Sequence, residues 1–167
     1  DCLCSALEKS VLGAAPDAAV YGFGRMLEGG EDPRFLARRL VRMAVEDIGL
    51  ADPQAQAVCL QSWETYERLG SPEGELALSQ AVIYLALAPK SNANYVAYKA
   101  ARKAAKKTVS VMPPKHRLHA QTAYMAEQGY GTDYAYDTYS DDVYNTPTYT
   151  HTVSGSPETY DRQKSGA

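Results

Sequence analysis

Basic side chains are the residues of this sequence whose type and spacing point most directly to chemistry. Positions 90–117 hold eight lysines and arginines and no aspartate or glutamate. The eight are Lys90, Lys99, Arg102, Lys103, Lys106, Lys107, Lys115 and Arg117. Five of them, at positions 99–107, follow the i, i+3, i+4 spacing of one helix face, where like charges repel each other. An anionic partner would relieve that repulsion, so the eight are candidate contacts to a nucleic-acid backbone; the alternative is a solvated helix face.

A phosphate site at the start of this basic stretch is a weaker candidate. Lys90, Ser91 and Asn92 follow Pro89, and a helix N-terminus with a hydroxyl and a nearby lysine can hold a phosphate. Helix capping alone explains the serine and the asparagine, and this interpretation is favoured.

Catalytic residues are not expected in this chain. A nucleotide-binding phosphate loop ends in Gly-Lys-Ser/Thr, and Gly22-Phe23-Gly24 and Gly129-Tyr130-Gly131 lack the lysine. His116 and His119 could share a helical turn, but no acid follows before Glu127, so a surface pair is favoured. We therefore expect neither hydrolytic chemistry nor ATP binding.

The cysteines indicate no metal site. Cys2, Cys4 and Cys59 are an odd number without regular spacing, and a structural zinc site needs four ligands. Cys59 is expected in the core. No apolar run approaches the roughly 20 residues of a membrane-spanning helix, so no membrane contact is expected. The chain starts at Asp1, and we expect a cytoplasmic piece of a longer protein.

The positions of proline and glycine, at the expected starts and ends of helices, predict an all-α fold. Asp32-Pro33, Asp52-Pro53 and Ser71-Pro72 each combine a capping side chain with a proline suited to the first helical turn. Helices are expected near 2–12, 17–28, 33–48, 53–69, 72–88, 91–107 and 117–128.

Two of these helices have informative faces. In the helix from Pro33 an apolar row recurs at i+4, formed by Leu36, Leu40, Ala44 and Ile48. Arg38, Arg39 and Arg42 are expected to pair with Glu46, Asp47 or a neighbouring subunit. The helix over 76–88 is apolar nearly all round and must be buried on most sides, and another subunit could supply some of that burial. The candidate interface residues are Leu76, Leu78, Val82, Ile83, Leu85 and Leu87.

The helix over 91–107 also has an alanine-rich side, opposite its bases, that is expected to pack inward. The alanines are Ala97, Ala100, Ala101, Ala104 and Ala105. After position 131 the composition changes to tyrosine, aspartate, serine and threonine without a helical period. We expect a helical domain over 1–131 and an irregular, acidic, Tyr-rich tail over 132–167.

Several segments, in order, resemble the C-terminal part of the RarA/MgsA family of replication-associated AAA+ ATPases, which includes the Werner helicase-interacting protein. The most specific are Gly30-Glu31-Asp32-Pro33, Arg38-Arg39-Leu40-Val41-Arg42 and Glu46-Asp47-Ile48-Gly49-Leu50-Ala51-Asp52-Pro53. Next come Gly70-Ser71-Pro72-Glu73-Gly74-Glu75-Leu76 and Ala88-Pro89-Lys90-Ser91-Asn92, and Gly129-Tyr130-Gly131 closes the series. The resemblance covers residues 1 to about 131. Gly22-Phe23-Gly24 stands where the family usually has a tryptophan, and the tail matches poorly.

The resemblance implies a compact helical bundle, similar to the collar of clamp loaders, that assembles the ATPase into a homotetramer. Full-length members are DNA-dependent ATPases of replication, recombination and repair. The resemblance thus implies a motor with ATP and magnesium upstream of Asp1, replication or repair proteins as partners, and association with the nucleoid in a bacterium. A free-standing helical adaptor that binds a protein partner through the Pro72 helix is the alternative.

Overall fold

Helices account for the regular structure of this chain, whose computed structural model describes residues 2–132. No β-strand occurs among those residues. Seven α-helices follow in order: α1 (Cys2–Leu12), α2 (Pro16–Glu28), α3 (Pro33–Met43), α4 (Gln54–Leu69), α5 (Glu73–Leu87), α6 (Ala93–Thr108) and α7 (Ala123–Glu127). The chain divides into two units, of which the first covers the described residues up to Val96 and the second those from Ala97. The all-α prediction is confirmed.

Aspartate side chains accept hydrogen bonds from the first amides of two helices, and Asp32 caps α3 as predicted. The Asp32 carboxylate accepts a hydrogen bond of 2.8 Å from the Arg34 amide at the start of α3. Asp52 accepts one of 3.1 Å from the Gln54 amide, and its other oxygen accepts the Tyr84 hydroxyl at 2.7 Å. Asp52 therefore ties the end of α5 to the beginning of α4. These bonds satisfy amides that have no partner inside the helix.

Ser71 does not cap a helix. Its hydroxyl donates to the Glu75 carboxylate at 2.5 Å, and α5 begins at Glu73 without a side-chain cap.

The helix predicted over 33–48 ends early as an α-helix. Residues Ala44–Ile48 form a π-helical turn and Gly49–Ala51 a 3₁₀ turn. The Asp47 carbonyl accepts a hydrogen bond of 2.7 Å from the Ser91 amide, which is distant in sequence. Gly49 has a φ of +54°, and a Cβ there would lie 3.1 Å from the Ser91 carbonyl oxygen. The wide turn therefore leaves space for the segment between α5 and α6. A β-carbon at Gly49 would crowd that segment and strain the backbone.

The helix predicted over 117–128 is present only in its second half. A 3₁₀ turn at Lys115–Arg117 and the five-residue α7 stand in its place. Thr122 has an extended backbone, and its hydroxyl accepts the Met125 amide at 3.2 Å. A threonine in this conformation starts a helix and cannot lie inside one, so α7 begins at Ala123. The predicted tail over 132–167 lies outside the described residues except for Thr132.

The core of the first unit is built from the inward faces of α1 to α5. The predicted apolar row on α3 and the turn after it is confirmed, since Leu36, Leu40, Ala44 and Ile48 are at most 2% exposed. Cys59 is also buried, and burial raises the pKa of its thiol to about 12, so it is a core residue as predicted.

Charged pairs connect the helices at the rim of this core. Arg42 pairs with Glu46 at 2.9 Å, as predicted, whereas Arg39 pairs with Glu8 of α1 at 3.7 Å. Arg34 joins α3 to α4 through Glu67 at 2.7 Å. Hydrogen bonds from Arg34 and Trp63 hold the pKa of Glu67 below its usual range. Ion pairs as accessible to solvent as these contribute little to the stability of the fold.

Gly74, at the start of α5, makes a close contact with α4. A Cβ at this position would lie 2.7 Å from the Cα and 3.1 Å from the carbonyl oxygen of Tyr66 on α4. Backbone atoms cannot move aside as a flexible side chain can, so only glycine allows α4 and α5 this separation.

Two glycine substitutions should therefore change stability in opposite directions. Gly74→Ala should lower the free energy of unfolding by about 1–3 kcal/mol, because the added carbon overpacks the contact with α4. Gly24→Ala should raise it by about 0.5–1 kcal/mol, because alanine favours the helix. Apart from its chain neighbours and the backbone of its own helix, no heavy atom of the described residues lies within 4 Å of the Cβ that Gly24 would gain. Urea unfolding of both variants measures this, and equal effects of the same sign would contradict it.

Candidate nucleic-acid interface

The basic side of α6 is exposed to solvent. Lys99, Arg102, Lys103, Lys106 and Lys107 are all exposed, whereas Ala97 is buried and Ala101 and Ala104 are half-buried. Exposure therefore follows the helical period, with the bases on one side and small residues on the other. Ala100 and Ala105, which were predicted to face inward, are exposed because they lie at the margins of the alanine stripe. We call the exposed side, formed by the five bases, the α6 basic face.

Arg102 makes two contacts with a neighbouring side chain of α6. Its guanidinium donates a hydrogen bond of 3.1 Å to the Tyr98 hydroxyl and lies 5.9 Å from the centre of that ring. Tyr98 is 60% exposed. The sequence analysis did not single out Tyr98, although its position one helical turn before Arg102 is a readable signal.

Lys115 has a structural role in the second unit. Its ammonium donates to the Gln128 carbonyl at 3.4 Å and lies 5.6 Å from the centre of the Tyr130 ring. Its carbonyl accepts the Gly131 amide at 3.0 Å. Lys115 thus holds the segment after α7 against the 3₁₀ turn. Arg117 lies in the same turn and is half-buried, so the structure does not place either residue on α6.

Lys90 lies three residues after α5, and its side chain folds back onto the C-terminal end of that helix. Its ammonium donates to the carbonyls of Ala86 at 2.9 Å and Ala88 at 2.5 Å. Partial burial lowers the pKa of this amine. The cation therefore satisfies carbonyls that have no partner within α5 and lies at the negative end of the helix dipole. The Ser91 hydroxyl accepts the Ala93 amide at 3.3 Å, which agrees with the capping interpretation of this segment.

The candidate interface residues of α5 fall into two groups. Leu78, Val82 and Leu85 are completely buried inside the first unit and offer no surface to a second subunit. Leu76, Ile83 and Leu87 are 69%, 40% and 67% exposed. The structure therefore narrows the candidates to these three. The sequence did not show which side of α5 is buried, because both sides are almost entirely apolar.

Metal and acid–base chemistry find little support in the described part of the chain. No group of three or more histidine, cysteine, aspartate or glutamate side chains lies close enough there to hold a metal. The buried Cys4 sulfur accepts a hydrogen bond of 3.0 Å from Arg39. His116 lies in the 3₁₀ turn and His119 beyond it, so the two do not share a helical turn. No helix among residues 2–132 is long and apolar enough to cross a membrane.

Sequence comparisons identify the family to which this chain belongs. The chain matches the family described as MgsA AAA+ ATPase C terminal over residues 13–167. It therefore belongs to this family of AAA+ ATPase C-terminal domains. The match includes the Tyr-rich segment, so the family similarity extends beyond the quoted motifs, which end at Gly131.

Individual relatives come from bacteria and a eukaryote. The chain is 54% identical over 132 residues to "Replication-associated recombination protein A" of Coxiella burnetii, covering 79% of this chain and 30% of that protein. It is 48% identical over 134 residues to the protein of the same name from Escherichia coli, covering 80% and 30%. Identity to "ATPase WRNIP1" of Dictyostelium discoideum is 41% over 140 residues, covering 84% and 16%. The chain thus spans less than a third of the length of these relatives.

The assignment of Lys90 to α5 predicts a stability effect. Lys90→Met keeps the aliphatic stem but removes the donors, so the free energy of unfolding should fall by about 1 kcal/mol. Lys103→Met, on the exposed side of α6, is the matched control and should change it by less than about 0.5 kcal/mol. Chemical denaturation measures both, and equal stability of the two variants would refute the capping role of Lys90.

Proposed function

We propose that this chain is the C-terminal assembly domain of a AAA+ ATPase that acts in DNA replication, recombination and repair. In this proposal the exposed side of α5 joins subunits into a homotetramer, and the α6 basic face contacts the DNA backbone. The ATPase motor, with its ATP and magnesium, belongs to the portion of the relatives that this chain does not span. The names of the relatives and the family of the chain support this assignment.

The observation that carries the assembly role is the exposed apolar row on α5. Leu76, Gln80, Ile83 and Leu87 are all exposed and are spaced by four, three and four residues. This is the spacing of the a and d positions that form the seam between two packed helices. Leucine and isoleucine exposed in such a row favour a partner helix, and a polar Gln80 among them favours one register. A second copy of the chain supplies a matching row, and symmetric closure would give a tetramer.

The DNA role is supported by the charge and exposure of the α6 basic face. Its contacts would be to phosphates and independent of base sequence, with dissociation constants for one copy on the order of 10⁻⁴ to 10⁻⁶ M at physiological salt. A tetramer would present several such faces and bind more tightly. We accordingly propose that the whole protein works in the cytoplasm, at the nucleoid in a bacterium, together with replication or repair proteins.

The assembly role predicts self-association through α5. Light scattering should give a mass near four times the 18.2 kDa of one chain at micromolar concentration. Replacing Leu76, Ile83 and Leu87 by glutamine should yield monomers, because the seam loses its apolar contacts. Leu60→Gln with Leu69→Gln is the control, since both leucines are exposed on α4.

A parent chain that stays monomeric would reject the assembly role and favour the adaptor. Dissociation of the α4 control as well would show that the contact does not depend on the α5 row.

The DNA role predicts that the bases of α6 determine how strongly DNA affinity depends on salt. Replacing Lys103, Lys106 and Lys107 by glutamine should weaken binding to single-stranded and duplex DNA. The slope of log K against log salt should become shallower by up to about 0.7 to 0.9 per lost phosphate contact. Replacing Lys9, Arg25 and Arg38, which are exposed on α1, α2 and α3, removes the same charge elsewhere. Equal losses in the two triple variants would reduce the α6 basic face to a solvated helix surface.

A further inference from the structure

An exposed aromatic ring lies within the most basic helix of the chain. Tyr98 is 60% exposed and is located one residue before Lys99 and one turn before Arg102. The Arg102 guanidinium, 3.1 Å from the hydroxyl and 5.9 Å from the ring centre, restrains the side chain on the surface. An apolar ring exposed to water is unfavourable in free energy. Contacts between lysine and phosphate would leave the ring exposed.

A second exposed tyrosine also lies next to an arginine four residues later in the sequence. Tyr21 on α2 is 69% exposed, and Arg25, also four residues later, lies 5.9 Å from its ring centre. The tyrosine–arginine pair is therefore not specific to α6. The surroundings differ, because α2 contains Asp17 and Glu28, whereas α6 contains no acid and carries the five bases. Of these two pairs, Tyr98 with Arg102 is the one whose accessible ring lies on a surface that attracts a polyanion.

The two components of nucleic acid would meet different parts of this surface. Phosphates pair with lysine and arginine wherever they approach, in duplex or single strand. A tyrosine ring can stack only on a base whose face is open, and a duplex keeps those faces within its own stack. Arginine beside the ring adds a planar cation that also stacks on bases.

We propose that Tyr98, held by Arg102, is a base-stacking platform and that the α6 basic face takes single-stranded nucleic acid in preference to duplex. This inference rests on the proposed contact between α6 and the nucleic-acid backbone. It adds to that contact a residue that recognises unpaired bases. An acidic polypeptide would satisfy the charge of the face but would not use the ring.

The test compares three ligands on the full chain: a short oligothymidylate, an abasic phosphodiester strand of the same length, and a duplex of that length. Tyr98→Leu should weaken binding to the oligothymidylate by at least about fivefold. Binding to the abasic strand and to the duplex should stay unchanged, as should the salt slope. Tyr98→Phe should retain most of the affinity because it keeps the ring. Tyr21→Leu is the matched control and should bind all three ligands as the parent does.

The outcomes separate this inference from the proposed function. If Tyr98→Leu binds the oligothymidylate as tightly as the parent while the Lys103, Lys106 and Lys107 variant does not, stacking is wrong but backbone contact stands. Equal loss on the abasic strand would also overturn stacking, since no base is present there. Absence of binding to every ligand would reject the proposed DNA contact itself. Polyglutamate should compete equally well for the parent and for Tyr98→Leu, because it meets only the charge of the face. Competition that depends on Tyr98 would overturn stacking, since polyglutamate has no base.

Discussion

The structure depends on the central position of α5 in the first unit. This helix contacts α1, α2, α3 and α4, so it must supply an inward side to all of them. Leu78, Val82 and Leu85 fill that side completely, and Gly74 brings the start of the helix against the backbone of Tyr66. Buried apolar area of this kind is the main favourable contribution to folding, and the close contact leaves no room to rearrange.

The same position accounts for the side of α5 that remains exposed. Four helices surround one side, so among the described residues the row with Leu76, Ile83 and Leu87 stays exposed. Leucine at 69% exposure costs free energy in water that contact with another helix would recover. The packing that builds the core thus also defines the surface that we propose for assembly.

The α6 basic face obeys a different constraint, since its bases are exposed and only its alanines are shielded. Little packing depends on these lysines, so their charge can serve a ligand without a cost to the core. Lys90 and Lys115 show the contrast, because their ammonium groups are bonded to backbone carbonyls of the protein itself. Eight bases that look equivalent in the sequence therefore have at least two different roles.

Local interactions explain what the sequence alone determined about this protein. Asp32 and Asp52 cap amides two residues away, the apolar row from Leu36 to Ile48 repeats every helical turn, and the five bases of α6 share one face. These features depend on neighbours within about one turn, so residue types and spacing predict them. Tertiary structure alone decided which leucines of α5 are buried, why the helix after Met43 widens to receive Ser91, and which carbonyls bind Lys90. Each of these outcomes depends on contacts between segments distant in sequence, or on burial, which arise only when the helices pack. Helical periodicity therefore does not predict them.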